Sequence, residues 1–205
     1  LKMKVTRSSK CNLKYLTPAK QKSLHKIMLE YKYVTNFFIS FLWDKDLTKP
    51  DLKKEILALP TSWLTSRMRL CSARQALGLV NSSKLSAKEL GNEPAKPVFT
   101  SGMDLSMNIA KITPSNTPHF DWWVTLTSVG NKIKLEIPIK LHRHINGFED
   151  WERSSSILLH ENYIQFIFSK EIPKNDTNSG TQLGVDVGIV KMIATSGGNF
   201  YGDKV

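Results

Sequence analysis

Cysteine is almost missing from this chain of 205 residues: Cys11 and Cys71 stand alone, with no CxxC pair and no metal-ligand spacing. Neither a disulfide framework nor a structural zinc site follows from them. Long apolar runs are missing too. The longest, Phe37 to Trp43, is interrupted by Ser40 and falls far short of the ~20 residues that span a bilayer. No charged-then-apolar leader opens the chain, so the expected setting is a reducing, intracellular one, the cytoplasm, with no membrane partner. The chain starts at Leu1 without an initiator Met, which reads as N-terminal sequence missing. There is no internal repeat and no low-complexity tract.

Acid is scarce where base is dense. Residues 1–100 hold 19 basic and 7 acidic residues and residues 101–205 hold 10 and 11, so the front half carries the whole excess of the +11 net charge. A basic half points to a polyanion partner, because each phosphate neutralised releases condensed counterions. The apolar fraction of 40% is enough to build cores.

The grammar of the chain changes twice. Residues 2–7 read as a short strand. Thr17 then reads as an N-cap and Pro18 as the first residue of a helix whose inward positions are Leu24, Ile27, Met28, Tyr31, Val34, Phe38, Phe41 and Leu42. A short helix is expected from Asp51 to Leu59, ending at Pro60. A longer one runs from about Ser62 to Val80, with Leu64, Met68, Cys71 and Leu77 inward. From Pro94 onward strands take over. Leu105, Met107 and Ile109 alternate, as do Trp122, Val124 and Leu126, and then Ile133, Leu135, Ile137 and Ile139. Gly130-Asn131 is a two-residue turn signal, so residues 120–139 read as a hairpin. Phe148–Arg153 reads as one helical turn, and Ser155–Leu159 with Tyr163–Lys170 as a second hairpin. The fold class is α+β: a small antiparallel barrel interrupted by a helical bundle. Met28, Met68, Met103 and Met107 read as core filler. His142 and His144 share a face, but a third metal ligand is lacking, so phosphate contact or plain surface is the simpler role.

After the polar stretch 173–180, Gly184-Val185-Asp186-Val187-Gly188 places one acid in an apolar strand. That burial is costly unless a charged partner, most often a divalent metal, meets it. The strand leads into a hairpin closed by Ser196-Gly197-Gly198. With the order strand, basic helices, barrel, linker, this resembles the transposon-encoded OrfB/TnpB proteins and the related type V CRISPR effectors. The resemblance covers the chain loosely and the passage from Leu135 to Gly198 more closely, including Ile137-Pro138-Ile139-Lys140 and Ile157–Phe168.

The resemblance implies a first barrel strand (1–16), a helical recognition insert (17–92), a wedge barrel (93–172), a linker (173–180) and the first hairpin of an RNase H-like RuvC nuclease domain (181–205). It also implies Mg²⁺-dependent DNA cleavage with Asp186 as catalytic metal ligand, directed by a guide RNA against target DNA. The Glu, the second Asp and the CxxC pairs that such nucleases add later are not in this chain, and Asp203 reads as a solvated loop residue. This chain alone is therefore expected to bind without cutting. The alternative is a stand-alone, nuclease-inactive RNA- or DNA-binding relative of repressor type. Actin-like ATPases begin with a similar strand but follow it with Ser or Thr, where this chain has Ile189, Val190 and Lys191. Candidate nucleic-acid contacts are Arg7, Lys20, Lys22, Lys26, Arg67, Arg69, Arg74, Lys140 and Arg143. Of Trp122 and Trp123, one faces the core and the other is available to stack on a base.

Overall fold

The computed structural model describes residues 2–45, 52–173, 184–186 and 193–202. They divide into two compact units: Lys4–Glu171, and a smaller one made of Leu1–Met3 with Ile172–Val205. In chain order the elements are β1 (Lys2–Asn12), α1 (Pro18–Trp43), α2 (Lys54–Leu57), α3 (Ser66–Leu90), β2 (Met103–Leu105), β3 (Ala110–Pro114), β4 (Trp122–Leu126) and β5 (Leu135–Ile139). They continue with α4 (Arg143–Asn146), β6 (Glu152–Leu159), β7 (Tyr163–Pro173), β8 (Val185–Asp186), β9 (Ile193–Thr195) and β10 (Phe200–Tyr201). Helices come first and antiparallel strands after, an α+β arrangement.

Helix α1 begins as its sequence dictates, with Thr17 extended and Pro18 in the first turn, although the Thr17 hydroxyl makes no capping bond. Leu24, Ile27, Tyr31, Val34, Phe38 and Leu42 are buried along one face. That face meets α3, whose small Ser72, Ala73 and Ala76 are also buried and let the helices approach closely. Polar contacts also cross the interface: Tyr31 Oη donates to Gln75 Oε1 at 2.9 Å and Lys84 Nζ to the Trp43 carbonyl at 2.7 Å. Thr35 Oγ1 donates to the Tyr31 carbonyl at 2.8 Å, which leaves Ser72 Oγ, 2.9 Å away, to donate to Thr35.

Helix α3 starts four residues later than expected, at Ser66, because residues 64 and 65 are held by the β4–β5 loop. Leu64 bridges Gly130, and Thr65 N donates to the Val129 carbonyl at 2.9 Å. The helix then runs ten residues past Val80 to Leu90, where Gly91 at φ 68° ends it. The short helix is confined to Lys54–Leu57.

The strands of the larger unit pair in two open sheets, ordered β1-β7-β6-β2 and β3-β4-β5. No ladder among the described residues closes them into a barrel. The first sheet takes one edge from the N-terminal strand and the other from β2, so the β4–β5 hairpin is left to pair with β3. Registers put Val124 opposite Ile112 and Ile137, and Phe166 opposite Ile157. All five are apolar, and all but the half-buried Ile112 are fully buried. They join the residues of α1 and α3 in one core cluster.

Three local readings need correction. The strand expected through Met107 stops at Leu105, because Ser106 accepts from Ile109 N at 2.9 Å in a turn. Met107 is therefore 64% exposed rather than core filler, whereas Met68 and Met103 are buried. The helical turn expected at Phe148–Arg153 falls instead at Arg143–Asn146, where Ile145 is buried, and Glu152 and Arg153 belong to β6. The β4–β5 connection is no two-residue turn. It spans residues 127–134, with Ser128, Gly130, Asn131 and Lys132 all at positive φ.

In the smaller unit β8, β9 and β10 form an antiparallel meander. Val185 pairs with Thr195 and Phe200 with Ala194, and Gly198 turns the chain at φ 79°. Residues 174–180, the body of the expected linker, lie outside the described residues.

Candidate nucleic-acid interface

Arg67 and Arg74 are exposed on α3. They lie seven residues apart, two turns of helix, and hence on one face; Asn81 and Lys88 continue the same line and are exposed as well. At 1.5 Å per residue the line is about 30 Å long. Among the described residues no ion pair engages Arg67, Arg74 or Lys88, so their charge is uncompensated. Arg69 differs: it is half-buried, and its Nε is buried without a hydrogen-bond partner among the described residues. On α1, Lys22 and Lys26 are exposed one turn apart, and no described acid pairs with them either.

The remaining candidates are tied down to different degrees. Lys20 Nζ donates to the Glu136 carbonyl at 2.6 Å and lies 5.7 Å from the Trp123 ring centroid. Lys140 is spent in part on Asp121, 3.4 Å away. Arg7 is exposed on β1 and donates to the neighbouring Thr6 carbonyl at 3.2 Å. Arg143 is exposed at the start of α4. His142 and His144 are exposed, as a surface role requires. Their rings stack 6.0 Å apart, and both reach the buried Ser9 hydroxyl, at 3.3 and 3.2 Å, binding α4 to β1.

Trp122 and Trp123 are both half-buried, on opposite faces of β4. Trp122 shares its face with the buried Val124 and Leu126, and its ring meets Phe166 edge-on at 5.1 Å. Trp123 points the other way. It lies 5.6 Å from Phe120, which lies 5.4 Å from Tyr15, in an edge-to-face ladder. Lys14 sits 5.0 Å from the Tyr15 ring, so lysines flank both ends of the ladder. Tyr15 is 42% exposed. Rings interleaved with lysines present faces to bases and charge to phosphates. Tyr15 and Phe120 were missed in the sequence because they lie outside any periodic segment and meet only through the fold.

Asp186 lies in β8, with its backbone paired to Ala194. The adjoining Gly184 N donates to Ser196 Oγ at 2.9 Å, and Ser196 N returns a bond to the Gly184 carbonyl. Asp186 is the sole carboxylate among the described residues of the smaller unit. No cluster of three or more metal-ligating side chains occurs among the described residues. A pair of Mg²⁺ ions needs several oxygen ligands. Asp203 lies outside the described residues. No described helix is long and apolar enough to cross a membrane. No family model and no curated protein matches this chain.

Proposed function

We propose that this chain is the N-terminal nucleic-acid-binding part of an RNA-guided, Mg²⁺-dependent DNA endonuclease of the OrfB/TnpB type, binding guide RNA and target DNA while lacking most of the catalytic site. In this reading α1 and α3 are the recognition insert, the two sheets of the larger unit correspond to the wedge barrel, and β8–β10 begin a RuvC domain with Asp186 in its first motif. The observation that carries the binding reading is the uncompensated basic line on α3, Arg67 and Arg74 with Lys88. A helix face of this kind tracks phosphates without reading sequence, which suits a protein whose specificity comes from base pairing.

The test is the anisotropy of a labelled RNA hairpin and of a DNA duplex at roughly 0.1 M salt, with the double variant Arg67→Glu, Arg74→Glu. Reversing two phosphate contacts is expected to weaken binding by about tenfold or more. Equal affinity for the variant and the parent chain contradicts the reading. A second reading is a stand-alone, nuclease-inactive RNA- or DNA-binding relative of repressor type. The two readings separate on the coding frame after Val205. A Glu, an Asp and CxxC pairs support the first, and a stop codon supports the second.

A further inference from the structure

Five polar side chains that make no hydrogen bond among the described residues, Lys32, Thr100, Ser101, His160 and Asn162, line one cleft of the larger unit. The cleft has a volume of about 450 Å³ and is bounded by α1, by the segment that leads into β2 and by the turn between β6 and β7. Met28, Leu29 and Phe99 supply its apolar wall, and Leu29 is 55% exposed. Convergent unpaired polar groups beside an apolar wall are what a ligand site presents before its ligand arrives.

The walls are fixed from behind. Asn36 clasps Phe99 with both ends of its amide, accepting from Phe99 N at 2.9 Å and donating to the Phe99 carbonyl at 3.0 Å. Gln75 donates to the Gly102 carbonyl at 2.7 Å and accepts from Asp104 N at 3.1 Å. A segment without regular structure is thereby held to both long helices. His160 lies against Gly102, where a Cβ would stand 2.6 Å from the ring, and stacks on Tyr163 at 4.1 Å. Burial and the nearby Lys10 lower the His160 pKa, so at about pH 7 the ring is neutral and carries one donor and one acceptor nitrogen. His25, also on the wall, is taken up by Glu161 at 2.9 Å. Lys32 has no described acid and is left as the free cation of the cleft.

Neutral donors and acceptors, an apolar wall and one free cation suit a planar heterocycle that bears a negative charge. Lys22, Lys26 and Leu29 share one exposed face of α1, so the unpaired lysines lead along the helix to the cleft. We propose that this cleft receives one nucleotide of a single-stranded nucleic acid lying along α1, with the base against Met28 and Leu29, its edge bonded by His160 and Asn162, and its phosphate at Lys32. The proposal rests on the nucleic-acid reading for the strand that supplies the nucleotide. Its residues are separate from the α3 line.

The test is proton NMR of the histidine Cε1 hydrogens of the full chain, titrated with adenosine, with adenosine monophosphate and with a short oligoadenylate. The chain has five histidines, and the signal lost in His160→Gln identifies His160. That signal is expected to move with all three ligands. The monophosphate is expected to bind roughly tenfold more tightly than adenosine, and the oligoadenylate more tightly still. Lys32→Gln is expected to remove the advantage of the monophosphate and to leave adenosine binding unchanged, with circular dichroism unaltered. A His160 signal that no ligand moves, while the oligoadenylate still binds, overturns the site and leaves the nucleic-acid reading standing. Equal affinity for adenosine and its monophosphate, or a Lys32→Gln variant that behaves as the parent chain, also overturns it. A monophosphate that outbinds the oligoadenylate overturns the strand and assigns a free nucleotide. If the parent chain binds no oligoadenylate at all, the nucleic-acid reading itself falls, and the proposal with it.

Discussion

Gly130 holds φ 140° in the β4–β5 loop, and a Cβ there would stand 2.2 Å from the Trp63 carbonyl oxygen. Only glycine allows Leu64 to bridge this loop, so one residue joins the start of α3 to the hairpin. Gly130→Ala is expected to destabilise the chain by about 2–3 kcal/mol, through backbone strain and displacement of Trp63. Urea unfolding by circular dichroism measures it, and a midpoint within error of the parent chain would contradict the close approach. In the sequence Gly130 was legible as a turn, but its second task was not, because its partner is 66 residues away. Cys11 and Cys71 are buried free thiols, and of the two only Cys71 was placed inward by its sequence spacing. Burial, with Asp121 adding to it, pushes the Cys11 pKa up to about 11, which suits a core side chain and not a nucleophile.

Among the elements, α1 was the most legible, because its apolar spacing and the Thr17-Pro18 start agree. Both hairpins were legible as well: the strands flanking Glu161-Asn162 and those flanking Gly130 pair antiparallel. The start of α3 was not, since its cap depends on a tertiary contact. Thr65 Oγ1 accepts from Met68 N at 3.3 Å and donates to the Ser128 carbonyl of the β4–β5 loop. Thr65→Ala removes both bonds and is expected to cost about 1–2 kcal/mol. Thr65→Ser keeps the hydroxyl and is expected to recover most of that loss in the same urea measurement. An alanine variant as stable as the parent would show that the cap contributes nothing. Strand β3 was invisible in the sequence because Ala110-Lys111-Ile112-Thr113-Pro114 has a weak apolar alternation and owes its order to β4.

For the whole molecule, charge asymmetry was the most legible property and sheet topology the least. Lys and Arg density can be read from any window of sequence. The pairing of β1 with β7 cannot, because it joins segments some 150 residues apart. The basic residues also proved unequal in a way composition hides. Lys20 and Lys140 are bound to the protein's own carbonyl and carboxylate, whereas Arg67, Arg74, Lys22 and Lys26 are exposed without a described acid. The central claim is that these free cations bind the phosphates of a nucleic acid. The most direct measurement is the affinity of the parent chain for a single-stranded RNA across a salt series. A plot of log K against log salt is expected to fall with a slope of about −3, the value for four phosphate contacts at roughly 0.7 each. A slope near zero, or no binding at the lowest salt, would contradict the account.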